Sequence, residues 1–148
     1  MGRIRVAAII PMNGGFALMH RKNVKNGSYS EFYTFVGGAL EENEEKDEAI
    51  KREVEEELGI NVKVLEKLYE QYSESFKQTE IYYLCEYLGG EFGTGKGEEF
   101  TYNPIYADNG NYFPEILTKE EIEDALLVPV EIKEMFLNDV ERGKFDKL

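Results

Sequence analysis

The chain has 148 residues, 42% of them hydrophobic and 13% aromatic, enough to bury a core and too apolar for a disordered chain. Thirty acidic residues against seventeen basic ones leave a formal net charge of −13, which argues against a nucleic-acid binder, whose affinity comes largely from phosphate neutralisation. There is no apolar run of about 18 residues to span a bilayer, no secretory signal pattern between Met1 and Pro11, and a lone Cys85 that cannot form an internal disulfide. The expectation is a cytoplasmic protein without a membrane partner.

In chain order, Arg3 to Pro11 and Phe16 to Arg21 are β-branched and aliphatic runs. Asn13-Gly14-Gly15 between them predicts a tight hairpin. Asn23 to Ser30 is rich in turn residues and reads as a loop, followed by a short extended piece from Phe32 to Phe35 that Gly37-Gly38 breaks. Asn43 is the candidate N-cap of a helix reaching about Leu58, and Gly59 is its stop. Ile50, Val54 and Leu58 give that helix an apolar stripe for packing on a sheet.

Val62 to Ser73 and Thr79 to Leu88 predict two long strands, with a glycine-rich loop from Gly89 to Gly97. Tyr102 to Asn111 is irregular and Tyr112 to Leu117 extended. Thr118-x-x-Glu121 is a capping box for a short helix. Val128-Pro129 opens a last helix to about Val140, with the tail after Gly143 frayed. Residues 1–148 read as a single domain of the α+β class.

The most informative segment runs from Gly38 to Ile60 and has the form G-x5-E-x7-R-E-U-x-E-E-x-G-U, where U is aliphatic. At about 100° per residue, Glu53, Glu56 and Glu57 stand at i, i+3 and i+4, so three carboxylates share one helical face. Like charges so close destabilise a helix, and a hard divalent cation removes that penalty. A merely solvated acidic face is the bland alternative, but it would not need Gly38, Arg52 and Gly59 at fixed positions.

Other motifs are weaker. Gly90-x-x-x-x-Gly95-Lys96 falls one residue short of a phosphate loop, because Gly97 stands where Ser or Thr is required. Glu98 or Glu99 could lend a further carboxylate to a metal. His20 is the only histidine, which excludes sites needing two imidazoles, and an ordinary structural or surface role outweighs a catalytic one. Arg21 and Lys22 after it are divided between a polar strand end and phosphate binding. Cys85 is expected to be a buried structural thiol.

The segment resembles the Nudix box, and most of the chain is similar to Nudix hydrolases (MutT-like). The resemblance implies an α/β/α sandwich with a mixed β-sheet between helices. It implies hydrolysis of a phosphoanhydride bond in a nucleoside diphosphate derivative, dependent on Mg²⁺ or Mn²⁺. The Gly38 carbonyl and the carboxylates of Glu53, Glu56 and Glu57 resemble the metal ligands, Glu44 and Arg52 the structural ion pair, and Arg21 a phosphate contact. Glu53, then Glu56, is the preferred catalytic base, with Glu98 and Glu99 as outside candidates. Val36 and Phe35 stand where many members have proline and tryptophan, and markers of several substrate classes are missing. A nucleoside triphosphate or small nucleotide conjugate is favoured by elimination. A non-catalytic nucleotide-sensing module and a loosely cation-binding acidic protein are the competing readings. The partner is a small-molecule nucleotide, with a homodimer left open.

Overall fold

The computed structural model describes residues 2–22, 31–95 and 111–146. The chain divides into two compact units, residues 1–10 with 35–95, and residues 11–34 with 96–148.

The first unit holds strand β1 (Arg3–Ile9), the second half of β4 (Glu31–Ala39), helix α1 (Lys46–Leu58), β5 (Ile60–Ser73) and β6 (Gln78–Gly90). Their sheet order is β4-β1-β6-β5. β1 lies antiparallel to β4 and parallel to β6, while β5 and β6 form a long antiparallel hairpin. Val6, Ala7, Ala8 and Ile9 of β1 are all buried, the continuous apolar run of a strand covered on both faces. Ile50, Val54 and Leu58 of α1 are buried, so the stripe read from the sequence is the packing face.

Two boundaries around the α1 approach differ from the expectation. β4 runs through Gly37-Gly38, which pair with Ala7 and Val6 of β1. A Cβ on Gly37 would overlap the Val6 carbonyl oxygen, so this glycine permits close strand approach and does not end the strand. The α1 N-cap is Glu45, in a capping box with Glu48, and Asn43 instead takes a left-handed turn conformation at φ 63°. Asparagine tolerates that region better than most residues, and its side-chain oxygen, a common helix cap, is why it imitates one in the sequence. Gly59 does terminate α1, at φ 78°, and its amide donates to the Glu55 carbonyl at 2.9 Å.

The second unit contains β2 (Pro11–Met12), β3 (Gly15–Lys22), β7 (Asn111–Leu117), α2 (Lys119–Asp124) and α3 (Val130–Glu141). The Asn13-Gly14 turn has positive φ at both residues, 49° and 79°, as a two-residue hairpin requires. It joins β2 to β3, whereas the sequence suggested the whole run from Arg3; β1 ends at Ile9 and pairs with other strands. β3 and β7 pair antiparallel from Phe16–Leu117 to Lys22–Asn111. Thr118 and Glu121 make the reciprocal capping box at the start of α2. Lys133 Nζ donates to the Ala125 and Glu123 carbonyls near the other end of α2, at 2.6 and 3.2 Å.

Ile132 and Phe136 bury one side of α3, and Phe16 meets Phe136 edge-on with ring centroids 4.8 Å apart. The tail after Gly143 is not frayed at Phe145. That residue is 5% exposed and packs on Phe16 and Phe136 at 5.5 and 5.4 Å. A large aromatic ring overcomes the fraying tendency of a chain end. The expected loop at 23–30 and the irregular stretch up to Gly110 lie outside the described residues. The elements agree with the α+β class and its mixed sheet.

Candidate active site

Helix α1 and the chain leading into it build a dense charge cluster around Arg52. The Arg52 guanidinium donates from Nε to Glu44 Oε2 at 2.8 Å and from Nη2 to Glu44 Oε1 at 3.0 Å, a bidentate fork. Nη1 donates to Glu53 Oε1 at 2.8 Å and lies 3.5 Å from Glu41 Oε1 and 3.6 Å from Glu56 Oε2. Nη2 also reaches the Ala39 carbonyl at 3.3 Å. One cation therefore gathers four glutamates and the end of β4. The hydrogen bond from Arg52 is the largest influence on Glu44, whose carboxyl it holds below the ordinary range. The same bond pushes Arg52 further up.

The three box carboxylates differ in setting. Glu53 is 13% exposed at its side chain, Glu56 is half exposed, and Glu57 is buried at 6%. Glu53 packs so closely on Gly38 that any Cβ there would overlap its carboxylate. This gives a steric reason for glycine at the head of the motif. At the far end, a Cβ on Gly95 would overlap the Glu56 and Glu57 carbonyls, and the Gly93 amide donates to the Leu58 carbonyl at 2.9 Å. The turn after β6 thus closes the C-terminus of α1 beneath the acidic face.

Among the described residues, no three Asp, Glu, His or Cys side chains are closed around a common metal-sized point. Glu53 and Glu56 both turn toward Arg52, which supplies the positive charge that three adjacent carboxylates demand. A divalent cation nevertheless fits this set by chemistry. The donors are hard oxygens on one helix, and the bare Gly38 backbone sits against one of them.

The remaining candidates lie elsewhere. The Arg21 guanidinium sits over the Tyr112 ring at 4.4 Å and the Phe32 ring at 5.2 Å, and Lys22 Nζ over Phe113 at 5.8 Å. Glu98 and Glu99 lie outside the described residues, as does Lys96 of the near-miss phosphate loop. Gly90 of that motif ends a strand. Cys85 is buried, and desolvation pushes its thiol up to about 12, as suits an inert structural group.

Sequence reasoning missed two features. Glu41, within the motif and three residues before Glu44, joins the Arg52 cluster; its spacing was the available signal. His20 is buried, with Nδ1 2.7 Å from Glu115 and Nε2 2.6 Å from Glu31, and its ring stacks on Tyr33 at 4.1 Å. Burial and the Glu115 carboxylate raise the Tyr33 phenol to about 12. Nothing local in the sequence announces this cluster.

Comparison with known proteins gives the class to which this acid-bearing helix, following a glycine-paired strand and closed by a glycine turn, belongs. The NUDIX domain family pattern matches residues 1–131. The chain belongs to the Nudix family and is a pyrophosphohydrolase of Nudix type. It is 28% identical over 114 residues to the 8-oxo-dGTP diphosphatase of Haemophilus influenzae, covering 75% of this chain and 84% of that protein. Its fold is similar to that of a NUDIX hydrolase from Nitrosomonas europaea (TM-score 0.68, 18% identity, 95% of this chain and 70% of that one). It is also similar to the MutT protein from Methanosarcina mazei (0.66, 19%, 96% and 95%). An ADP-ribose pyrophosphatase from Streptococcus suis shares the fold (0.66, 15%, 95% and 92%). No helix among the described residues is long and apolar enough to cross a membrane.

Proposed function

We propose that the chain is one Nudix domain that hydrolyses a phosphoanhydride bond in a nucleoside triphosphate or small nucleotide conjugate, with Mg²⁺ or Mn²⁺. The carrying observation is the Arg52 cluster, which holds Glu53 beside Gly38 and orients Glu56 on the same helix. The Gly38 carbonyl, Glu53, Glu56 and Glu57 would hold the metal, which when bound neutralises phosphate charge and acidifies water. A Glu53 carboxylate oxygen takes the proton of the attacking water, with Glu56 second in preference. Glu44 and Arg52 act as positioning residues that fix the approach to α1. Arg21 and Lys22 are the cations we assign to substrate phosphate, with Glu98 and Glu99 as further polar contacts.

The 8-oxo-dGTP diphosphatase relative supports a nucleoside triphosphate, and its name makes an oxidised purine triphosphate one of the compounds to test. The test is an unbiased screen of nucleotides, dinucleoside polyphosphates and nucleotide sugars with and without Mg²⁺, repeated with Glu56→Gln. We expect Mg²⁺-dependent cleavage of a nucleotide anhydride. We expect Glu56→Gln to remain folded and to lose roughly 10²- to 10³-fold in kcat, the scale for removing one charge-stabilising group. Tight nucleotide binding without phosphate or pyrophosphate release would favour a sensing role instead. A folded and fully active Glu56→Gln protein would remove that residue from the mechanism.

A further inference from the structure

We infer that Gly95 is a positioning residue for the metal site: its bare backbone seats the last turn of α1, which carries Glu56 and Glu57. This role rests on the metal reading proposed above and adds to it a residue outside the Gly38 to Ile60 motif.

The local backbone does not demand glycine at this position. Gly59, Gly90 and Gly93 are left-handed, at φ 78°, 99° and 95°, and Gly95 is not. The demand comes from across the contact, where a Cβ on Gly95 would overlap the Glu56 carbonyl oxygen and the Glu57 carbonyl group. Both belong to a helix backbone, so they cannot swing aside as the end of a flexible side chain can. The facing surface is fitted in the same way. A Cβ on Gly59 would overlap the Thr94 hydroxyl and stand 2.9 Å from the Gly95 nitrogen, and one on Gly90 would stand 2.8 Å from the Ile60 Cα. Thr94 is held in turn, its Oγ1 donating to the Glu91 carbonyl at 2.7 Å, and the Gly93 amide donates to the Leu58 carbonyl at 2.9 Å. Backbone meets backbone, so a misfit passes to the helix itself.

The consequence is a fixed spacing among the carboxylates. Glu53 is anchored at one end of the acidic face, where it packs on Gly38 and accepts from Arg52. Gly95 anchors the other end, at the backbone of Glu56 and Glu57. A methyl group at Gly95 moves the second anchor relative to the first. Mg²⁺ demands near-ideal octahedral geometry, whereas Ca²⁺ accepts longer and less regular ligand distances, so displaced carboxylates penalise Mg²⁺ more. The seat at Gly95 thereby favours the smaller ion.

The experiment measures Mn²⁺ binding to the full chain by electron paramagnetic resonance, with Mg²⁺ and Ca²⁺ as competitors, so no turnover is needed. Gly14→Ala is the control for general destabilisation. Gly14 lies in the turn between β2 and β3 at φ 79°, with nothing within 4 Å of an added Cβ, so that variant strains the backbone without a collision. Gly95→Ala should weaken Mg²⁺ roughly tenfold or more, the scale for groups that orient metal ligands, and Ca²⁺ less. Gly14→Ala should lower the melting temperature and leave both metal affinities unchanged. Three results overturn the role of Gly95 and leave the metal site standing: a folded Gly95→Ala protein with wild-type Mg²⁺ affinity, equal losses for Mg²⁺ and Ca²⁺, or the same loss in Gly14→Ala. A wild type that binds no Mn²⁺ overturns the metal site itself, and this role with it. Should Gly95→Ala misfold, hydrogen exchange on the wild type reads the same coupling. Saturating Mg²⁺ should slow exchange at the Gly93 amide, and an unchanged rate overturns the role.

Discussion

The two units each draw carboxylates around a basic side chain, and they do so differently. In the first, Arg52 joins Glu41, Glu44, Glu53 and Glu56, all within eleven residues of it along the chain. In the second, His20 joins Glu31 and Glu115, the latter 95 positions away, so the contact ties β3 to β7 and β4. The first arrangement orders one loop and one helix turn; the second holds three strands. Arginine keeps its charge at all accessible pH. The imidazole can donate from both nitrogens only while both carry protons. A permanent charge is thus placed where an acidic helix requires constant compensation, and a ring with two hydrogen-bonding nitrogens where strands are tied together.

Breaking the first cluster should have the larger effect. Arg52→Met removes the guanidinium that donates to Glu44 and Glu53, and we expect a loss of about 3 kcal/mol in urea unfolding, near the scale of removing one partner from a largely desolvated pair. A loss below about 1 kcal/mol would mean that water replaces the guanidinium freely. His20→Ala removes two hydrogen bonds and the stack on Tyr33, and we expect about 2 kcal/mol by the same measurement. If it costs more than Arg52→Met, the ranking of the two clusters is reversed.

The smallest effect sharpens the comparison through pH. Glu44 has a folded-state pKa below its ordinary value of 4.5, chiefly because Arg52 donates to it. A depressed carboxyl contributes stability that is present above the unfolded value and lost as pH falls through the folded one. The stability gap between wild type and Glu44→Gln should therefore be widest near neutrality and close on acidification below 4.5. A gap that is flat from neutral to acid pH would show that the glutamine amide replaces the carboxylate in the fork.

Local features were legible in the sequence. Gly59 ends α1 because only a left-handed residue fits there, and Thr118-x-x-Glu121 starts α2 because a capping box is complete within four residues. The i, i+3, i+4 spacing placed Glu53, Glu56 and Glu57 on one helix, but spacing says nothing of rotamers, and Arg52 directs two of them. Gly37-Gly38 looked like a strand break because glycine signals both turns and close approach; only the Val6 carbonyl beside it decides between them. The parallel pairing of β1 with β6 and the His20 cluster depend on partners far along the chain, which no periodicity reports.

Phe145 gives the second unit a built-in reporter. Its ring packs against both Phe16 and Phe136, while Arg142 and Lys144, the cleavage points trypsin prefers, flank Gly143 just before it. A protease can grip that backbone only while the ring is out of its seat, so in dilute trypsin the rate of the cuts after Arg142 and Lys144, followed by mass, becomes a gauge of the fraction of molecules whose C-terminal anchor has let go.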